Sequence, residues 1–314
     1  MKKVILGTAI ATCLAMAGNA QAAATIQFDP LGTSGANALS VNFFDWTPGN
    51  ALAIGAVDSS GIVITTDPSN PSSFQVVAQA SLGNLVLSNG SLVNSYPQIT
   101  FQLSMFEYAV GTTGAATLLL DQSKPSTFTM WIGGTAADDV TGAGYDGAGG
   151  AVKLLEGSIA GSFGSFSDVT RLAGEAIQGL DQSPDGNDVD GGALSHQGSG
   201  GTTTQIDITY QNWAYFLSNV TSLMVDAQDS SNLATPFSQV NPSDFVVGNA
   251  PTFGVGGPAG TNGANCAAGQ LCDFQFQLDA STSFNPVPEP ASLALLGLGL
   301  AGLGFTRRSK RTAA

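Results

Sequence analysis

The 314-residue sequence predicts an all-β protein, an antiparallel β-sandwich or jelly roll, with a short apolar segment at each end of the chain. Three observations carry that expectation. Apolar residues recur at every second position in short runs, which gives each run one buried and one wet face. Clusters of Gly, Pro, Asn and Asp separate the runs, as turns require. Charged residues are 10% of the chain while 43% is hydrophobic, so Ser, Thr, Asn, Gln and Asp must supply the solvated surface, a balance that suits an exported β protein.

In chain order, Met1–Ala22 opens with Lys2 and Lys3, continues as an apolar run from Val4 to Gly18 and ends in Ala20-Gln21-Ala22. A basic start, an uncharged run and a small-x-small site make a secretory signal peptide cleaved after Ala22, with Ala24 as a second possible site. Cys13 lies inside the run and is discarded with it.

Residues 23–284 then read as one large domain, with no internal repeat of fixed period. Strands are expected at Leu39–Trp46, Ile62–Thr66 and Phe74–Ala80. The alternations Ile99, Phe101, Leu103, Met105 and Phe128, Met130, Ile132 mark two more. Val152–Ile159, then Ile206, Ile208, Tyr210, and finally Phe274, Phe276, Leu278 complete the set. Val169–Gly179 is a short, interrupted helical candidate. Cys266 and Cys272 are the two cysteines outside the leader. In an exported chain such a pair reads as a disulfide, here closing a seven-residue ring; metal binding lacks further Cys or a nearby His.

Charge excludes several functions. The formal net charge is −14, from nine Lys and Arg against 23 Asp and Glu. Six of the nine cations lie at the two ends: Lys2, Lys3, Arg307, Arg308, Lys310 and Arg311. Only Lys124, Lys153 and Arg171 stand between them, with all 23 acids, so that stretch carries 3 − 23 = −20. No basic face exists to neutralise phosphates or anionic lipid.

Catalytic groups are sparse. His196 is the one histidine, and it is expected in a glycine-rich loop. Ser195-His196 is no dyad, because consecutive side chains cannot point at one another. Zinc hydrolysis wants two or three histidines. Of the acids, 19 are Asp, many beside Gly or Asn, as in Asp138-Asp139, Asp146-Gly147 and Asp190-Gly191. That placement suits turns or calcium ligation by oxygen. Asp185, Asp188 and Asp190 partly resemble an EF-hand loop, although Gly186 stands where a first ligand belongs and no Glu closes the set. Trp46, Trp131, Trp213, Tyr145 and Tyr215 are candidates for stacking on sugar rings, weighed against packing in the core.

The end of the chain is the most specific segment. A spacer, residues 285–290, contains Pro288-Glu289-Pro290. Ala291–Phe305 is uncharged and rich in Leu, Gly and Ala, and Arg307-Arg308-Ser309-Lys310-Arg311 follows. Fifteen helical residues span about 22 Å against a hydrocarbon core of roughly 30 Å, so local thinning or flanking residues complete the span. The cations hold that end in the cytoplasm and leave the preceding chain outside. Gly297, Gly299 and Gly302 satisfy a dinucleotide-binding spacing, but no strand precedes them, so the match is an accident of a glycine-rich membrane segment.

This three-part tail resembles the PEP-CTERM sorting signal of Gram-negative, exopolysaccharide-producing bacteria. The resemblance implies processing by an exosortase, a membrane-embedded cysteine protease that reads Pro288, Glu289 and Pro290 and removes the helix and basic tail. Permanent anchoring by residues 291–314 is the alternative.

The body has its own resemblance. Phe28-Asp29-Pro30, Phe44 through Ala53, Gln79 through Gly83, Thr235 through Ser243 and Asp273 through Ala280 are similar to stretches of the flocculation-associated PEP-CTERM proteins. That resemblance implies a non-enzymatic exported protein that works with exopolysaccharide to hold cells together, at the cell surface or in the matrix. The acidic stretch Asp181 to Gly201 departs from it. A polysaccharide-binding module and a carbohydrate-active enzyme are the rivals.

The acidic segment is testable directly. If it holds calcium, millimolar calcium raises the melting temperature and releases heat in titration, and Asp188→Ala with Asp190→Ala abolishes both. No heat and no shift identify the aspartates as turn residues.

Overall fold

The computed structural model describes residues 24–58, 61–62, 64–65, 73–112, 115–137, 143–171, 195–230 and 272–285. Residues Thr25–Asn285 form one compact unit. Among the described residues there is no helix. The strands are β1 (Ile26–Phe28), β2 (Leu39–Trp46), β3 (Gly49–Asp58), β4 (Gly61–Ile62), β5 (Ile64–Thr65), β6 (Ser73–Leu87) and β7 (Leu92–Val93). They continue as β8 (Ile99–Thr112), β9 (Ala115–Leu120), β10 (Thr127–Ile132), β11 (Val152–Arg171), β12 (Ser195–Gln211), β13 (Ser222–Ser230) and β14 (Cys272–Phe284).

All fourteen belong to one hydrogen-bonded sheet. Its pairings are antiparallel except for the short β5, which runs parallel to β8 at Ile64↔Ala109. The expected all-β, antiparallel class is present, but its layering is not that of a sandwich or jelly roll. β2 and β3 act as one long strand, pairing with β6 on one side (Phe44↔Leu85, Ala51↔Ala78) and with β14 on the other (Thr282↔Phe44, Phe276↔Ala51). β9 and β10 likewise share one place between β8 and β11. The principal strands therefore form eight places in chain order, and the last bonds to the first. This is a meander closed into a barrel, without the Greek-key crossings of a jelly roll and without the two separately bonded sheets of a sandwich.

The two interruptions have local causes. Between β2 and β3, Pro48 lacks an amide hydrogen, and Thr47 turns its N–H (2.8 Å) and hydroxyl (2.9 Å) onto the Ser81 carbonyl. A Cβ at Gly49 would stand 2.0 Å from the Gln79 carbonyl oxygen, so the chain passes only without a side chain. Between β9 and β10, Asp121 accepts from the Ser123 amide (3.0 Å) and hydroxyl (2.6 Å) in a turn that ends at Pro125.

The expected alternation fills the barrel. Ile99, Phe101, Leu103 and Met105 are buried, as are Phe128, Met130 and Ile132. Two local expectations are corrected. Val169–Arg171 is strand, not the start of a helix, since β11 continues to pair with β12 through Arg171↔Ser195. The rest of the helical candidate lies outside the described residues. His196 belongs to β12 rather than a loop, because β11 pairs with it at Thr170↔His196.

One half of the interior is aromatic. Phe28, Phe44, Trp46, Phe101, Phe128, Phe216 and Phe284 are all buried. Phe28 meets Phe216 at 4.9 Å between ring centres, Phe44 meets Phe284 at 4.9 Å edge-on, and Trp46 meets Phe101 at 4.7 Å edge-on. Trp46 Nε1 donates to Thr282 Oγ1 at 2.7 Å, joining β2 to β14. Fully buried Asp29 closes this end, accepting from Leu31 N, Thr33 N, Thr33 Oγ1 and Gly35 N at 2.7–3.1 Å. Burial alone would raise its pKa, but hydrogen bonds from Thr33, Gly35, Leu31 and Asn37 outweigh it and hold the carboxyl below its ordinary value.

Asp29 therefore stabilises the fold above the unfolded carboxyl pKa of about 3.9, and that contribution is lost as pH falls through the depressed folded value. Asp29→Asn aims an amide donor at donors and is expected to cost about 2 kcal/mol near neutrality. Its deficit against the natural protein, read from denaturant midpoints, should shrink below pH 4. Trp46→Phe strands the buried Thr282 hydroxyl and should cost a similar amount, about 2 kcal/mol, at every pH.

Candidate functional site

The other half of the barrel is lined differently. Inward positions there carry Ala53, Ala56, Ala78 and Ala227, and every one of the eight places in the sheet contributes to the wall. An eight-stranded barrel is just wide enough for side chains to fill or for one small ligand to occupy. Large rings fill the first half. Alanines leave a cavity of about 60 Å³ in the second. The connections β3 to β6, β8 to β9, β11 to β12 and β13 to β14 leave the sheet at this end. The chain enters through β1 and leaves through Asn285 at the aromatic end.

The cavity wall is apolar except at one place. Glu107, on β8, is 2% exposed, and its Oε1 accepts from Ser162 Oγ on β11 at 2.7 Å. Ser162 Oγ lies 3.3 Å from Thr204 Oγ1 on β12, which is also buried. Glu107 and Thr204 face the cavity, together with Thr202. A void of this size costs about 1.4 kcal/mol at roughly 24 cal/mol per Å³ if left empty. Sequence reading missed Glu107. The signal was present: extending Ile99, Phe101, Leu103, Met105 by two places puts this acid on the buried face.

The aromatic candidates separate clearly. Trp46 and Tyr145 are buried. Tyr145 belongs to the connection between β10 and β11, which folds over the outer face of the sheet: Gly144 O accepts from Thr100 Oγ1 at 3.2 Å, and Ser81 Oγ lies 3.4 Å from the Tyr145 hydroxyl. In that connection Gly147, at φ +81°, lies against the Trp131 ring, and a Cβ there would come within 2.5 Å of Trp131 Nε1. Asp146 accepts from Ala148 N at 2.9 Å, the turn role expected of an Asp-Gly pair. Tyr215 packs on Gly32. Trp213, 59% exposed, is the most exposed of the five, and Tyr210 is 43% exposed. Tyr210 turns outward because Thr209 is an extra residue opposite Glu156 and Gly157, a bulge that reverses the alternation.

Asp185, Asp188, Asp190, Cys266, Ala22, Pro288, Glu289 and Pro290 lie outside the described residues. Cys272 opens β14 opposite Val57. Among the described residues no three His, Cys, Asp or Glu come together as a metal site, and no helix is long and apolar enough to cross a membrane. Asn285, expected to open the spacer, is instead clasped by the barrel: its Oδ1 accepts from Thr221 N at 2.8 Å and its Nδ2 donates to Asn219 O at 2.6 Å.

No curated protein and no solved structure matches the chain. Residues 286–309, beginning directly after Asn285, match the family model of the PEP-CTERM protein-sorting motif. The chain therefore carries a PEP-CTERM protein-sorting motif at its C-terminal end, a signal that implies export and exosortase processing of a membrane-anchored precursor.

Proposed function

We propose that the mature barrel is a non-enzymatic surface or matrix protein that promotes flocculation or biofilm cohesion together with exopolysaccharide. The sorting motif joined to the closed barrel is the observation that carries this reading. At −20 between its terminal cations the chain repels other anions, so contact with polymer runs through neutral sugars, divalent-cation bridges or attached glycans. Exposed Trp213 and Tyr210 supply stacking surface for neutral rings. Calcium held by Asp185, Asp188 and Asp190 would supply the bridge, and a Cys266–Cys272 disulfide would brace the loop before β14. An exosortase cut at Pro288-Glu289-Pro290, after leader removal at Ala22, releases the barrel from its tether toward the surface or matrix.

A polysaccharide-binding module is the second reading, favoured by the exposure of Trp213. Hydrolysis by paired acids needs two carboxyls roughly 5 to 9.5 Å apart, and Glu107 is the single acid on the described cavity wall.

Deleting the gene in the native host tests the proposal. Loss of flocs with unchanged polymer chain length is expected, restored by the natural gene and only weakly by Trp213→Ala. Altered polymer length would instead mark an enzyme. The intact mass of the native product should lack Arg311, and its retention would show a permanent anchor.

A further inference from the structure

The outer wall of the barrel has a second feature besides Trp213. β9 ends at Leu120 and β10 begins at Thr127, and between them no strand bonds β8 to β11. The turn that crosses this gap is tied to both flanks: Asp121 N donates to Phe106 O at 2.8 Å, and Gln122 Nε2 to Ala160 O at 3.4 Å. Beside it lie two open hollows that share Leu120, Asp121 and Gln122, each of about 420 Å³. That size falls within the roughly 300–1,000 Å³ of small-ligand clefts.

An apolar row leads out of the gap. Tyr108 and Leu119 line one hollow; Tyr108 opposes Leu119, and Leu119 opposes Phe163 on β11. All three point outward, because Glu107, Leu118 and Phe166 face the interior. Adjacent strands stand about 4.8 Å apart, which puts Tyr108 and Phe163 about 10 Å apart across Leu119. Phe163 is 63% exposed, so its ring is open to solvent rather than packed in the core. The site is also remote from Trp213. Asn212, beside that ring, is bonded to Lys153 O, whereas Phe163 stands roughly 30 Å further along β11 at 3.2–3.4 Å per residue.

The polar side of the gap has both charge signs. Asp121 accepts from the Ser123 amide and hydroxyl, and chiefly through that hydroxyl its carboxyl is held below its ordinary value, with Lys124 adding its positive charge. The acid and the lysine offset one another locally. Gln122 and Lys124 are exposed and offer donors and an acceptor to a ligand that has both, as sugar hydroxyls do. A protein partner fits poorly. One aromatic side chain buries about 150–250 Å², and this row of three, two of them half-buried, falls short of the roughly 800 Å² per partner of a stable interface. A sugar ring needs only an apolar face against the row and hydroxyls toward the turn. The row lies along the sheet surface, which suits an extended ribbon of rings, and the charge of −20 between the terminal cations disfavours an anionic one. We infer that Tyr108, Leu119 and Phe163, with Gln122 and Lys124, bind an extended neutral oligosaccharide at the break between β9 and β10. That assignment rests on the proposed partnership with polymer and adds a second contact to it.

The test uses the purified exported protein with labelled Leu methyl groups, titrated with cellohexaose, mannohexaose and the hexamer of galacturonate and read by nuclear magnetic resonance. Saturable shifts at Leu119 and Leu120 are expected with the two neutral hexamers, and at least tenfold weaker affinity for the galacturonate. Phe163→Ala should weaken neutral binding about tenfold, the scale of one lost aromatic contact. Gln122→Ala, on the exposed turn, should weaken it severalfold and serves as a second variant. Leu92→Ala removes an equally exposed side chain on β7 and should change nothing. Absence of saturable shifts with both neutral hexamers overturns the proposal, as does unchanged affinity in both Phe163→Ala and Gln122→Ala. Galacturonate binding as tightly as cellohexaose overturns the choice of a neutral sugar. The role in cohesion is read separately in the native host. Flocs restored in full by the Phe163→Ala gene remove this site and leave that role standing, whereas flocs that survive gene deletion remove the role and leave the measured binding standing.

Discussion

The closure of the sheet depends on one strand serving two neighbours. Residues 39–58 pair with β6 along one edge and with β14 along the other, bringing the last strand of the domain against its first. A closed sheet has no exposed principal edge, which removes the template for strand addition that open sheets must guard. The constraint falls on Thr47-Pro48-Gly49. There the chain must bend without losing either neighbour, and it does so by hanging Thr47 on the Ser81 carbonyl and by carrying no side chain where Gly49 meets Gln79. With eight places fixed in the ring, interior width follows, and the choice of inward residues decides whether it is filled.

That choice divides the barrel. Rings from β1, β2, β8, β10, β14 and the turn at Phe216 close one end. Alanines from β3, β6 and β13 open the other. Both ends of the barrel unit belong to the filled half, where Asp29 and Asn285 use buried or clasped polar atoms to fix them. The sorting motif therefore begins directly after a residue held by hydrogen bonds to Asn219, Thr221 and Ser222. The acidic connection bearing Asp185, Asp188 and Asp190 joins β11 to β12 at the cavity end.

Much of the interior was legible because burial follows a period of two. Ile99 through Met105 and Phe128 through Ile132 point inward as their spacing predicts. Tyr210 escaped because the extra residue Thr209 reverses its face, and a bulge leaves no mark in an alternation counted from Ile206. The barrel itself was not legible. Whether β14 returns to β2 or faces it across a core is settled by pairing over more than two hundred residues, and single-strand patterns do not encode partners. The glycines around His196 read as a loop, yet pairing with β11 overrides that local preference. The sorting motif matched at residues 286–309 was readable, since its order of short motif, apolar run and cations needs no tertiary partner.

The strings that resemble flocculation-associated proteins acquire a physical relation in the fold. Phe44 through Ala53 forms the shared strand, Gln79 through Gly83 lies on its β6 side, and Asp273 through Ala280 lies on its β14 side. Phe28-Asp29-Pro30 ends β1, bonded to β2, and supplies the buried carboxyl that closes the aromatic end. Four of the five strings thus meet around the closure, while Thr235 through Ser243 lies outside the described residues. Those four strings describe how the barrel is shut rather than what it touches. The resemblance therefore bears on the scaffold, and under the proposed function contact with polymer falls to the exposed aromatics Trp213 and Tyr210 rather than to these strings.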